Sequence, residues 1–183
     1  MIRKELIEDL TDRTLEAISG AGKYKLLTLE ALNHRPTPTG WSILECLEHL
    51  NRYGDFYLPE INRKVSKAPH SGNEVFKSGW IGNYFALSML PGSDGKLRKM
   101  KTFKSMDPIH AHLEANVVDK FLDQQRQMLG LLEKAREVDL GKVKTSISIS
   151  KWIKLKLGDT LRVVVYHNQR HIQQASRVLE ALG

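Results

Sequence analysis

Apolar residues recur at helical spacing through most of this chain. From Ile2 to Ser19, Leu6, Ile7, Leu10, Leu15 and Ile18 fall in helical register with charges between them, and Gly20 and Gly22 are expected to end the helix. A shorter helical piece is predicted from Tyr24 to Leu32, closed by the proline-containing loop HRPTPTG. Ser42 then reads as an N-cap, with Glu45 three residues on as its capping-box partner, and this sets the start of a helix running towards Val65. Pro59 lies well inside that run, so a kink or break is expected near Leu58.

The middle of the chain is less regular. Lys67 to Ser78 is rich in Pro, Gly, Ser and Lys and reads as a loop, followed by a short helix over Trp80 to Leu90 and a turn at PGSDG. Lys96 to Pro108 carries Lys96, Arg98, Lys99, Lys101 and Lys104 with no acid before Asp107, and is expected to lie over the helices as a long basic connection. A core helix is predicted from His112 to Val138, with Val117, Phe121, Leu122, Gln125, Met128, Leu129 and Leu132 in register and Gly141 as its stop. Val143 to Ile149 alternates as a short extended stretch, too little to make a sheet alone. Ser150 is then expected to cap a one- or two-turn helix over KWIKLKL, and Asp159 to cap a last helix reaching Leu182. Four long helices joined by one long crossover with short extra helices predict an all-α four-helix bundle, with residues 1–183 as a single domain.

The chemistry concentrates on histidine. His167 and His171 stand four residues apart, so both imidazoles project from one face of the last helix and can grip one ion. Seven histidines in 183 residues make such a pair unremarkable by itself. Its position strengthens it: Leu161, Val164, Val165, Ile172, Ala175, Val178 and Leu179 place the pair on or beside the stripe that faces the core. A single buried histidine is ordinarily a hydrogen-bonded core residue, but two on one stripe need partners. A third neutral imidazole from another helix would complete a set used by catalytic Zn²⁺, Ni²⁺ or Fe²⁺ with positions left open, and His49 is the candidate.

The run PTGWSILECLEHL from Pro38 to Leu50, followed more than a hundred residues later by HNQRHIQQASRVL, resembles the DinB-like superfamily, which includes metal-dependent S-transferases using bacillithiol or mycothiol. The resemblance covers most of the chain. It implies a four-helix bundle, His49, His167 and His171 as the ligands of one divalent metal, a low-molecular-weight thiol such as bacillithiol as cosubstrate, and a homodimer. The activity it implies is transfer of that thiol to an electrophilic small molecule. Metal-assisted hydrolysis of a small amide or ester, and a non-catalytic metal-binding or basic nucleic-acid-binding bundle, stay open as alternatives.

Composition narrows these classes. With 41% hydrophobic and 27% charged residues the chain can bury a core without staples, and the lone Cys46, at helical spacing from His49 and Leu50, reads as a buried structural thiol. The N-terminus MIRKELIEDLTDR lacks the apolar core of a signal peptide and no run approaches a membrane span, so no membrane partner and a cytoplasmic location are the default expectation. The formal charge of +7 includes Lys142, Lys144, Lys151, Lys154 and Lys156. Without a helix-turn-helix pattern, these lysines read as a solvated face rather than a specific nucleic-acid site.

Among the other histidines, His34 and His70 are expected in exposed loops, and His110 and His112 receive no role. Glu45 is read as a cap rather than as a support for His49, one turn away. Gln174, three residues past His171, is placed either beside the site or towards solvent.

Overall fold

A computed structural model of the chain describes residues 1–92, 100–148 and 150–182. Its elements are α1 (Arg3–Gly22), α2 (Leu29–Asn33), α3 (Ile43–Val65), α4 (Trp80–Ser88), α5 (Asn116–Ala135), β1 (Lys144–Ile147), β2 (Ser150–Lys156) and α6 (Leu157–Glu180), with 3₁₀ turns at Lys23–Leu26 and Lys104–Met106. The fold is all-α with one small hairpin. Long helices α1 and α3 each pack on both α5 and α6, so α1 and α3 face each other across one diagonal and α5 and α6 across the other.

The core has two apolar halves. One gathers Leu6, Ile7 and Leu10 from the start of α1 with Leu58, Ile61 and Val65 from the end of α3, Leu132 and Ala135 from the end of α5, and Leu157 and Leu161 from the start of α6. The other gathers Ala17 and Ala21, Ile43 and Leu47, Val118 and Phe121, and Ile172 and Ala175 from the opposite ends of the same helices. Helices α1 and α6 therefore run one way and α3 and α5 the other.

A polar belt separates the halves. Thr14, Asn51, Gln124, Gln125 and Asn168 are all buried at this level. Asn51 Nδ2 donates to the Val117 carbonyl at 3.0 Å, Gln124 Nε2 to the Asn51 carbonyl at 3.1 Å, and Asn168 Nδ2 to Gln125 Oε1 at 2.8 Å. Buried amides need such partners, and these tie three of the four long helices together in one register.

The start of α3 follows the expectation closely. Ser42 Oγ accepts the Glu45 N–H at 3.2 Å, and Glu45 Oε2 accepts the Ser42 N–H at 2.8 Å, forming the capping box. No break occurs at Pro59, and α3 continues to Val65. Pro59 is exposed, so its ring faces solvent while Leu58, Ile61 and Val65 hold the helix to the core. Helix α1 runs through Gly20 and ends at Gly22, within the expected glycine pair. Gly20 serves close packing: a Cβ there would stand 3.1 Å from Ile172 Cγ2 on α6. The expected piece from Tyr24 to Leu32 divides into a 3₁₀ turn and α2, whose N-cap Thr28 accepts the Ala31 N–H. Helix α5 begins at Asn116 rather than His112, after a turn in which His110 takes a φ of 61°.

Two expectations near the C-terminus are corrected. The segment KWIKLKL is a strand, not a helix: β2 pairs antiparallel with β1, matching Thr145 to Leu155 and Ser146 to Lys154, with an irregularity after Ser146. Cross-strand pairing drives this: the extended stretch before it supplies the partner strand, and buried Leu155 lies opposite buried Thr145. Asp159 is not the cap of α6, because the helix starts at Leu157 and Asp159 lies in its first turn. Its carboxylate instead accepts the Gly79 N–H at 2.7 Å and the Ser78 hydroxyl, and pairs with buried Arg162, fastening the start of α4 to α6. In the basic connection, residues Lys96 to Lys99 lie outside the described residues. Lys104–Met106 packs against α3.

Candidate metal centre

His49 sits on α3 one turn beyond Glu45 of the capping box, and His167 and His171 sit one turn apart on α6, where α3 and α6 pack together. All three side chains converge, with one ring nitrogen from each lying within 4.8 Å of the others. His49 and His171 are buried and His167 is half-buried. They stand beside the polar belt, His49 two residues before Asn51 and His167 adjacent to Asn168.

Neighbours fix the rings. His49 Nδ1 lies 2.7 Å from the Met106 carbonyl, which can only accept, so Nδ1 carries the proton and the Nε2 lone pair points into the cluster. His171 Nδ1 donates to Gln174 Oε1 at 3.0 Å, which frees its Nε2 in the same way. His49 Nε2 is 3.2 Å from His167 Nε2. Two imidazole nitrogens on one tetrahedral ion, each bonded at about 2.0–2.1 Å, lie roughly 3.3 Å apart, so this spacing fits a shared divalent cation.

Electrostatics favour neutral, ligating imidazoles. Burial lowers His49 to about 4 despite the Met106 carbonyl, which acts to raise it. Burial, then the neighbouring His49 and Arg170, lowers His171 to about 3. Burial also holds His167 well below the ordinary imidazole value, with His171 and His49 adding to the effect. Three uncharged ring nitrogens within 4.8 Å of one another could hold a divalent cation.

Aromatic rings wall the cluster. Trp41 stacks on His171 with centroids 5.6 Å apart and tilts over His49 at 4.7 Å. Tyr53 meets His49 and His167 edge-on at 5.0 and 4.7 Å. Beyond them opens a cavity of about 670 Å³, lined by the three histidines, by Tyr57, Phe85, Met89 and Leu155 on its apolar side, and by Lys101, Arg170 and Gln174 elsewhere. That volume suits a small-molecule site. Asp107 is the only carboxylate among the described lining residues, and its Oδ1 accepts the Ile109 N–H.

A model of the DinB superfamily matches residues 6–175, nearly the whole chain. The chain belongs to the DinB superfamily. No curated protein and no solved structure matches it significantly. As a DinB-superfamily bundle, it brings together the histidines singled out from the sequence and leaves the others outside. His34, His70, His110 and His112 are exposed.

The remaining candidates sort cleanly. Glu45 does not touch His49: besides the cap it accepts Arg35 Nη2 at 2.6 Å and the His110 backbone N–H at 2.7 Å. Burial pushes its carboxyl up, and these donors outweigh that and hold it below the usual range. Cys46 is fully buried, and desolvation pushes its thiol upward, so it is inert packing. Gln174 turns to His171 rather than to solvent. Sequence reasoning assigned no role to Trp41, Tyr53 or the Met106 carbonyl. Tyr53 stands one turn from His49 and could have been found by that spacing, whereas a backbone carbonyl 57 residues away carries no sequence signal.

Proposed function

We propose that this chain is a divalent-metal-dependent enzyme that transfers a low-molecular-weight thiol to an electrophilic small molecule, with His49, His167 and His171 as the metal ligands. The observation that carries the reading is a set of three neutral imidazoles, without a fourth protein ligand among the described residues, on the wall of a cavity large enough for small molecules. A bound divalent ion would supply Lewis acidity that lowers the pKa of a thiol in an open position. The chain's own contribution is positioning. Met106 and Gln174 set the two ring orientations, Trp41 and Tyr53 keep bulk water from the histidines, and the apolar wall of Tyr57, Phe85, Met89 and Leu155 receives the body of the electrophile. Hydrolysis is the weaker reading, because the one described carboxylate on the cavity wall is engaged by the Ile109 amide and is poorly placed as a general base.

The test begins with metal content by elemental mass spectrometry on protein purified without chelator, for wild type, His49→Ala and His171→Ala. About one ion per chain, lost in both variants, is expected. The loaded protein is then mixed with a small thiol and bromobimane. Conjugation that requires both protein and metal supports the reading, and a metal-loaded protein that accelerates ester cleavage but no thiol transfer overturns it.

A further inference from the structure

The cavity wall changes character along its length. On α6 its lining residues are Val163, Val164, His167, Arg170, His171 and Gln174. One face of that helix thus carries apolar residues, then histidines, then a cation and an amide, over about 16 Å. Helix α3 runs the opposite way and repeats the order. Tyr57 packs in the same core half as Val164, Tyr53 and His49 follow at the middle, and Trp41, just before the helix, stacks on His171 and packs with the half that holds Ile172. The histidines therefore stand between an apolar end and a polar one.

The polar end suits negative charge. Gln174 Oε1 is committed to His171, which leaves its Nε2, with no other partner among the described residues, as a donor in the wall. Arg170 stands one turn before Gln174 on the same face. Burial lowers Arg170 from its ordinary value, so water serves the guanidinium only in part. Lys101 adds a second cation to the cavity, against the single described carboxylate of Asp107. A divalent ion on three neutral imidazoles would bring two more positive charges that its ligands leave uncancelled, and one thiolate offsets only one of them. A planar guanidinium beside an amide donor matches a carboxylate, whose oxygens accept from both.

We propose that Arg170 and Gln174 form a subsite for the carboxylate of a small-molecule ligand whose remaining body runs past the histidines towards Tyr57 and Val164. Its place in the reaction rests on the thiol-transfer reading above, whereas the binding site itself does not. Either reactant can carry the acid, as a mercapto acid or as an electrophile bearing a carboxylate.

Calorimetric titration of metal-free protein with octanoate, and with octanamide as its uncharged counterpart, tests the subsite without reference to metal or turnover. Octanoate is expected to bind wild type at least about tenfold more tightly than octanamide. Arg170→Gln should erase that preference while octanamide affinity and far-UV circular dichroism stay unchanged. Lys104→Gln removes an exposed lysine that lies off the cavity wall, and should keep the preference. Should Arg170→Gln fold poorly, the wild-type Arg170 side-chain Nε–H resonance provides the second readout, shifting with octanoate but not with octanamide. Equal affinities in wild type, or a preference that survives Arg170→Gln, overturn the proposal.

The metal-loaded protein tells which reactant carries the acid. If it is the thiol, Arg170→Gln raises KM for mercaptoacetate but not for 2-mercaptoethanol. If it is the electrophile, KM rises for iodoacetate but not for iodoacetamide. Either result supports the subsite, and turnover in which neither pair responds overturns its part in the reaction. Absence of turnover with every pair would sink the thiol-transfer reading alone, since the octanoate comparison decides the subsite by itself.

Discussion

His49 Nε2 and His167 Nε2 lie 3.2 Å apart although 118 residues separate them in the chain. The Met106 carbonyl accepts a hydrogen bond from His49 Nδ1–H, so at least one of the two facing nitrogens presents a lone pair. A hydrogen bond from His167 satisfies that geometry in the free protein, and a cation satisfies it better, because it also engages the third imidazole. Binding should therefore be cooperative across α3 and α6. Either His49→Ala or His167→Ala is expected to lose the ion, and calorimetric titration with Zn²⁺ should show affinity falling by at least 100-fold in each. A variant that keeps wild-type affinity would remove its histidine from the ligand set.

Proton competition gives a second expectation, whose sign follows from the lowered pKa values. His49 at about 4 and His171 at about 3 stay neutral in the folded protein well below the ordinary imidazole value of 6.5. The unfolded chain takes up these protons between pH 6.5 and about 4, so the stability of the metal-free protein is full above pH 6.5 and falls as the pH drops through that window. Urea midpoints of metal-free wild type should decline from pH 7 to pH 4, with a shallower decline in His171→Leu. The same low values mean that protons displace the ion late. Metal release followed with a chromogenic chelator is expected near pH 4 to 5, and release near pH 6.5 would show that the imidazoles titrate like exposed ones.

Gln174 supports His171 through one hydrogen bond of 3.0 Å. Loss of such a partner typically weakens metal affinity by about 10–100-fold by freeing the ring and its tautomer. Gln174→Leu should therefore retain fold and stoichiometry while its Kd for Zn²⁺ rises by that factor. Glu45→Gln is the informative contrast. It disturbs the cap and the Arg35 pair but touches no ligand, so thermal stability should fall while affinity stays within a few-fold of wild type.

How much of this is legible in the sequence depends on the range of the interaction. The pair His167 and His171 is local, the capping box at Ser42 and Glu45 is local, and both are readable from spacing alone. The strand β2 is not, because Trp152 with Leu155 and Ile153 with Leu157 stand at helical spacings while Ile153, Leu155 and Leu157 also alternate, and only pairing with Thr145 and Ser146 decides between them. Asp159 follows a glycine at a helix start and so looks like a cap. Its partners Ser78, Gly79 and Arg162 are set by tertiary packing, and two of them lie about eighty residues away.

That buried cluster carries the last expectation. Asp159 and Arg162 are almost fully buried, and Arg162 Nη1 also donates to Ser78 Oγ and Asn83 Oδ1 at 3.0 Å. Removing one partner of a buried pair leaves the other charge uncompensated, at a typical cost of about 3–5 kcal/mol. Asp159→Ala should destabilise the protein on that scale in urea. Gly82→Ala approaches the same place from the opposite side, since its Cβ would collide with the Asp159 side chain, and it should loosen α4 without removing any charge. Because α4 carries Phe85 and Met89 to the cavity while the histidines belong to α3 and α6, both variants are expected to retain near-normal Zn²⁺ stoichiometry where they remain folded. Hydrogen exchange over residues 80–88 should rise in both. Equal loss of metal and of α4 protection would mean instead that helix and metal centre form one cooperative unit.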